Sequence, residues 1–257
     1  MYESYPVING AESFTYEGSN GVGILLCHGF LGTPQSMKDL GTAFASKGYT
    51  VKAPRLAGHG THGEDLKHCS FSDWFLCLEE AYSELSAQCG RVYVVGQSMG
   101  GTLTLDLASR HKAIDGILLI NPAMSIPSFS TYNRNDCPMW IEEGRPDIKK
   151  NDVEEITYTR TPRFAYRQLL QYMEVVQKRL PAVSCPISCF QSRIDHVVPP
   201  ANTDFILQRV GSKQKSKVVL EDSYHVASMD NDQETIIEHT HAFIQNHLHY
   251  ALPKVDL

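Results

Sequence analysis

No stretch of this 257-residue chain approaches the roughly 20 consecutive apolar residues that a membrane span needs. Basic charge is also short: 23 Lys and Arg stand against 29 Asp and Glu, a net charge of −6. That balance argues against nucleic acid as a partner and against electrostatic docking on anionic membranes. The start Met1-Tyr2-Glu3-Ser4-Tyr5-Pro6 has neither a basic region nor an apolar core, so no secretory leader is expected. Seven cysteines are present, an odd number, and they are scattered. Cys27, Cys77, Cys185 and Cys189 sit in apolar segments, where cysteine behaves as a small hydrophobe. No disulfide framework is expected, and a reducing cytoplasm is the simpler location. Metal-ligand spacing is missing too. Cys185 and Cys189 are separated by a proline-containing spacer with no second pair, and His59 and His62 lack an acidic or cysteine partner. Neither metal nor cofactor is expected.

What the chain does have is the composition of a compact enzyme, 42% hydrophobic and 20% charged. Its length suits one sizeable core. Strand-like and helix-like segments alternate. Val7 to Glu17 reads as an N-terminal hairpin, and Gly23–Cys27 as an apolar strand before a helix from about Gln35 to Ser46. Tyr49–Ala53 is the next strand. Ser72 is the expected cap of an amphipathic helix carrying Phe75, Leu78, Ala81, Tyr82 and Leu85 at helical spacing. Gly116–Ile120 is apolar throughout, as expected where helices cover both faces of a parallel sheet. Alternation then lapses from 122 to 180, a region richer in polar residues with helical pieces expected at Asp152–Thr157 and Arg163–Lys178. The expected organisation is a core in two parts, 1–121 and 181–257, interrupted by an inserted cap at 122–180. His239, His241, His247 and His249 read as the solvated face of a C-terminal amphipathic helix.

The segment Arg91-Val92-Tyr93-Val94-Val95-Gly96-Gln97-Ser98-Met99-Gly100-Gly101 carries the chemistry. A β-branched and aromatic run breaks at a glycine, a serine follows, then a glycine pair and the helix-like Thr102–Ala108. Gly-x-Ser-x-Gly between a strand and a helix is the pattern of the nucleophile elbow of α/β-hydrolases. Glycine on both sides lets the backbone turn sharply, which raises the serine Oγ clear of the sheet at a helix N-terminus.

A serine hydroxyl needs a base to take its proton, and the base needs a carboxylate to fix its tautomer. In this pattern the acid and then the histidine follow in chain order. Asp195 sits in a polar loop just past the buried run Cys185–Gln191, and His225 follows the last expected strand, Lys217–Leu220. Loops at the carboxyl ends of parallel strands converge on one edge, so Ser98, Asp195 and His225 are expected to meet there. His196 is a rival base and Asp222 a rival acid. The first is expected to cap or solvate its loop, the second to bond backbone N–H groups of its own turn. The oxyanion is assigned to Met99 N–H, next after the serine, and to Phe30 N–H in the loop His28-Gly29-Phe30-Leu31-Gly32-Thr33. His28 is expected to fix that loop.

Five segments occur in this order along nearly the whole chain: His28–Pro34, Pro54–His62, Gly96–Leu105, Asp195–Pro200 and Ser223–Ala227. Together they resemble the bacterial monoacylglycerol lipases of Bacillus-type organisms, and slightly less the neighbouring small carboxylesterases. Gln97 departs from the leucine such lipases often carry. The resemblance implies an α/β-hydrolase, a mostly parallel doubly wound sheet with a small inserted cap. It further implies a soluble serine esterase acting on a small lipid ester, a monoacylglycerol; no cofactor, no nucleic-acid partner and no stable membrane anchor are expected. Within Asn151–Tyr158, Glu155 matches the cap glutamate that faces the glycerol end of the substrate in those lipases. A solvent-facing helix carboxylate beside Glu154 is the alternative for that position. A carboxylesterase without glycerol selectivity, or a slow-turnover receptor on the same fold, also suits the motifs. Apolar cap residues such as Ile126, Phe129, Met139, Trp140, Tyr172 and Val176 either line an acyl tunnel or pack the cap itself.

Overall fold

The computed structural model describes residues 3–134 and 136–250, with the side chains of His249 and Tyr250 left out. The N-terminal reading therefore falls partly outside the described residues, at Met1 and Tyr2, as does the side chain of His249. The chain forms β1 (Phe14–Tyr16), β2 (Val22–Cys27), α1 (Lys38–Ser46), β3 (Thr50–Ala53), α2 (Gly63–Leu66), α3 (Phe71–Gln88), β4 (Arg91–Gln97), α4 (Met99–Arg110) and β5 (Gly116–Ile120). An excursion follows that holds β6 (Trp140–Glu142), β7 (Arg160–Pro162) and α5 (Arg163–Gln177). The chain then completes its sheet with β8 (Ile187–Ser192), α6 (Ala201–Arg209) and β9 (Lys215–Leu220), and α7 (Gln233–Tyr250) follows.

Seven strands lie in the order β1-β3-β2-β4-β5-β8-β9, all parallel except β1 against β3. Because strand side chains alternate between faces, neighbouring residues of one strand feed two separate cores. Leu25, Val94, Ile117 and Leu119 pack under α3, α4 and α5. Ile24, Leu26, Val95, Leu118 and Ile120 pack with Leu40 and Phe44 of α1 and with Ile236 and Ile244 of α7. Strands apolar on both faces are what a doubly wound sheet requires, and the expected architecture is met.

Four local expectations are corrected. The N-terminal hairpin does not form. Only Phe14–Tyr16 is a strand, and it pairs with β3, while the segment before it is tied to the surface by Glu3 on Arg55 and Ser4 N–H on Asp65. The cap of α3 is Ser70 rather than Ser72, because the Asp73 carboxylate accepts from both the Ser70 N–H (2.8 Å) and its hydroxyl (2.6 Å). Asp73 stands three residues after the cap, where a capping box needs its acceptor. Asp152–Thr157 is not helical. Asp152 is left-handed at φ 60°, and Gln35 satisfies this backbone by donating to Glu154 O (2.9 Å) and accepting from Ile156 N–H (3.1 Å). His239, His241 and His247 of α7 are half-buried rather than solvated: His239 bonds Ser188, His241 bonds Tyr49, and His247 bonds Gln214.

The excursion between β5 and β8 reaches the cavity that holds Ser98 and is fastened to α4 by a buried carboxylate. Asp106 of α4, wholly shielded from solvent, pairs with Arg110 and Arg179 and accepts from the Tyr172 hydroxyl of α5 (3.0 Å). Asp106→Ala leaves two guanidinium groups and a buried hydroxyl short of an acceptor, so a loss of about 2–4 kcal/mol is expected. Urea unfolding of the variant against the parent checks it, and a change below about 0.5 kcal/mol would contradict this role for Asp106.

Candidate active site

β4 ends at Gln97 and α4 begins at Met99, so Ser98 alone makes the turn, at φ 54° and ψ −118°. That conformation is strained for a residue with a Cβ. The turn is enforced by close packing on either side. A Cβ on Gly96 would lie 2.3 Å from Gly100 O, and one on Gly100 would lie 2.2 Å from Cys27 O. The Ser98 main chain is pinned as well: its N–H donates to Ile120 O (2.9 Å), and its carbonyl accepts from Ala123 N–H (3.1 Å).

The Ser98 hydroxyl stands 2.9 Å from His225 Nε2, and His225 Nδ1 stands 2.8 Å from Asp195 Oδ2. A proton on Nδ1 facing the carboxylate leaves Nε2 a free lone pair to accept from the serine. Asp195 is anchored through its other oxygen, which accepts from Val197 and Val198 N–H at 2.9 and 2.8 Å. The Asp195 side chain is 2% exposed and that of His225 9%, so water competes little for either bond. The rivals take no part in this chain of bonds. Exposed His196 bonds Asp147 through Nδ1 (2.8 Å). Asp222 pairs with Lys149 at the surface, and the backbone-bonding role expected of it belongs to Asp230 and Asp232, which accept from Tyr224 and Asp222 N–H.

One residue of this edge escaped sequence reading. Asn121 follows β5 directly, in the left-handed region at φ 44°. Its Oδ1 accepts from Ser192 N–H (2.8 Å) and its Nδ2 donates to Ser192 Oγ (2.8 Å), Tyr224 O (3.2 Å) and His225 O (2.9 Å). It joins the end of β8, which leads to Asp195, to the loop that carries His225. The only signal in the sequence was a polar residue closing a wholly apolar strand.

Phe30 and Ser98 line a cavity of about 360 Å³, and Gly29 is close enough that a Cβ there would sit 3.3 Å from Ser98 Cβ. As the first residue of α4, Met99 has an N–H with no acceptor in a preceding helical turn. The loop before Phe30 is held by His28, which contacts Gly29 O through Nδ1 (2.9 Å) and accepts from Leu56 N–H at Nε2 (3.2 Å). Burial, with His59 nearby, lowers the His28 pKa to about 3, so it stays neutral and bridges two loops. Of the apolar residues proposed for a tunnel, Ile126 and Phe129 reach the cavity, joined by Tyr132, Tyr166 and Leu169. Tyr172 and Val176 are core instead, while Met139 and Trp140 face a separate surface depression.

A family model described as serine aminopeptidase, S33 (Hydrolase_4) matches residues 21–141 and 125–232. The chain belongs to this family of α/β-hydrolases. It is 45% identical to the thermostable monoacylglycerol lipase of Bacillus sp. (strain H-257), over 96% of this chain and 99% of that one. It is 26% identical to a carboxylesterase of Bacillus subtilis (strain 168), over 91% and 96% of the two chains. Among solved structures it is similar to a metagenome-derived lipolytic enzyme of the LipS and LipT pair, with a TM-score of 0.90 and 40% identity over 94% of this chain and all of that one.

Glu155 also lines the hydrolase's cavity. The residue as a whole is half-buried, but its carboxyl group is enclosed. Gly32 makes room for it, since a Cβ there would fall 2.6 Å from Glu155 Oε1. Burial raises its pKa to about 7, against the lowering pull of His225 and of a hydrogen bond with Ser36. Glu155 therefore changes protonation near neutral pH. Between its ordinary value of 4.5 and about 7 the folded chain keeps a proton that the unfolded chain has released. Stability contributed by this group is lost as pH rises through that window. Glu155→Gln, neutral throughout, should gain on the parent by on the order of 1–3 kcal/mol between about pH 5 and pH 8. Urea unfolding of both proteins across that range measures it, and parallel pH curves would refute the burial argument.

Proposed function

We propose that this hydrolase cleaves monoacylglycerols to glycerol and fatty acid through an acyl-enzyme on Ser98, with 122–180 acting as a cap over the site. The observation that carries the reading is the unbroken chain from Ser98 Oγ through His225 to Asp195, at 2.9 and 2.8 Å, opening into the cavity. Ser98 Oγ attacks the ester carbonyl while His225 Nε2 takes its proton, and Asp195 stabilises the imidazolium. Phe30 and Met99 N–H groups receive the charge that develops on the carbonyl oxygen. The glycerol oxygen leaves with the proton from His225. Water then gives a proton to the same nitrogen and attacks the acyl carbon, which releases the fatty acid and restores Ser98. The scheme uses no metal or cofactor, and no group of three or more His, Cys, Asp or Glu side chains suited to a metal occurs among the described residues.

The substrate follows from the cavity's two characters. Phe30, Phe129, Tyr132, Tyr166, Ile126 and Leu169 offer an apolar wall for one acyl chain, and Glu155 offers a polar group for the alcohol. A volume of about 360 Å³ suits one chain with a glycerol head, whereas the additional chains of di- and triacylglycerols must be excluded. The 45% identical relative is named a monoacylglycerol lipase, which supports the same assignment. No described helix is long and apolar enough to cross a membrane.

Ser98→Ala should remove several orders of magnitude of ester turnover with the fold intact, and Asp195→Asn and His225→Ala should approach that loss. Asp222→Asn and His196→Ala should cost less than about tenfold. A serine-directed fluorophosphonate separates the cases, since labelling that persists in Ser98→Ala would remove Ser98 as nucleophile.

On substrates, monoacylglycerols should exceed di- and triacylglycerols in kcat/KM, and also exceed a simple-alcohol ester of the same acid. Glu155→Ala should lower kcat/KM about 5- to 30-fold on the monoacylglycerol, the worth of a hydrogen bond of about 1–2 kcal/mol, and leave the simple ester nearly unaffected. Equal rates on both esters would favour a carboxylesterase without glycerol selectivity. Faster cleavage of an aminoacyl anilide than of any ester would point to the peptidase of the family's description.

A further inference from the structure

The mechanism gives no work to Asp147, yet its side chain meets both loops that bear the acid and the base. After β6 the chain runs without regular structure through 143–150 and lies against those loops as a strap. Asp147 Oδ2 accepts from His225 N–H (3.2 Å) and from His196 N–H (3.1 Å), while Oδ1 is bonded to His196 Nδ1 (2.8 Å). The Asp147 carbonyl accepts from Val226 N–H (3.1 Å). Two residues on, Lys149 and Lys150 N–H groups donate to Asp230 (2.8 and 2.9 Å), whose Oδ2 also accepts from Tyr224 N–H (2.9 Å). Asp147 lines the catalytic cavity and its side chain is only 15% exposed, so these bonds are partly shielded from water.

The His225 peptide is thus held at both ends. Asn121 of the sheet donates to its carbonyl, and Asp147 of the excursion accepts from its N–H. Asp195 immediately precedes His196, so the same carboxylate fixes the chain beside the acid. We propose that Asp147 is a positioning residue: it keeps the His225 and Asp195 loops in register from the cap side, so that the cap and the proton-transfer chain form one mechanical unit. This rests on the assignment of Ser98, His225 and Asp195 as the reacting chain. Such a residue matters because His225 must meet Ser98 and Asp195 simultaneously, and displacements near 1 Å in such geometry cost roughly 100-fold in rate.

The test is a comparison of Asp147→Ala and Asp147→Asn in the full chain, with steady-state kinetics on a monoacylglycerol and on a simple ester of the same acid. The second-order rate of Ser98 phosphonylation by a small fluorophosphonate is measured alongside. Asp147→Ala should lower kcat roughly 10- to 100-fold by the same factor on both esters, with KM within about threefold. Phosphonylation should slow in parallel, because that probe needs the activated serine and not the alcohol site. Asp147→Asn keeps a carbonyl oxygen for the two N–H groups and should recover kcat to within about fivefold of the parent. A rise in KM alone, with kcat and phosphonylation unchanged, would make Asp147 a merely structural part of the cap and overturn the proposal. An Asn variant as slow as the Ala variant would overturn it too. If Asp147→Ala does not fold, Asp147→Ser, too short to reach both loops, carries the same expectations. Full turnover in Ser98→Ala would instead defeat the underlying triad assignment, whereas an inactive Ser98→Ala with an unimpaired Asp147→Ala defeats only this one.

Discussion

The close approach of α4 to the strands beside it sets the geometry of the whole active edge. Gly100 rests against the backbone of β2, and Gly96 against the first turn of α4, at separations that no Cβ would permit. With both contacts made, the single residue between strand and helix has no ordinary conformation left, and Ser98 takes φ 54°. The direction of the Ser98 side chain is therefore a product of packing in the sheet. The hydrogen bond to His225 acts on a side chain already aimed. Strain at one residue is sustained because β4 and α4 bury apolar surface on either side of it.

Around that fixed point the partners are held by hydrogen bonds between side chains and main chain. Asp195 accepts two backbone N–H groups of its own loop, and the His225 peptide is gripped by Asn121 and Asp147. Loops are usually the least constrained parts of a fold. Here three of them meet at polar side chains whose hydrogen-bonding capacity is largely filled from different elements. Glu155 is the exception: an enclosed carboxyl group whose charge is poorly compensated, raised to a pKa of about 7.

The parts of this structure legible in the sequence were those set by period and by steric necessity. Gly116–Ile120 and the elbow strand announced themselves by unbroken apolar runs, and the serine by the glycines beside it. What could not be read were contacts whose partners lie far apart in the chain. Asp152–Thr157 looked helical because its residues tolerate a helix, but its backbone is satisfied by Gln35, more than a hundred positions earlier. The α7 histidines looked solvated by helical spacing alone, yet Tyr49, Ser188 and Gln214 reach them from other elements. Asn121 was invisible for a related reason, since its partners, Ser192 at the end of β8 and Tyr224 and His225 in the loop after β9, come together only once the sheet is assembled. Ser70 was missed over two positions, where the neighbouring serine offered the same chemistry and only the spacing to Asp73 distinguished them.

The first described residues give the fold a seam that runs close to the site without touching it. Glu3 holds Arg55 with both carboxylate oxygens, at 2.8 and 2.6 Å, and also accepts from Gly58 N–H (2.9 Å). Arg55 in turn grips the carbonyl of His59, and the buried ring of His59 lies against those of Phe30 and His28. The loop that carries His28 and Phe30 thus leans on a brace whose outermost member is Glu3. A change at Glu3 therefore reaches the Phe30 ring of the cavity wall through Arg55 and then His59.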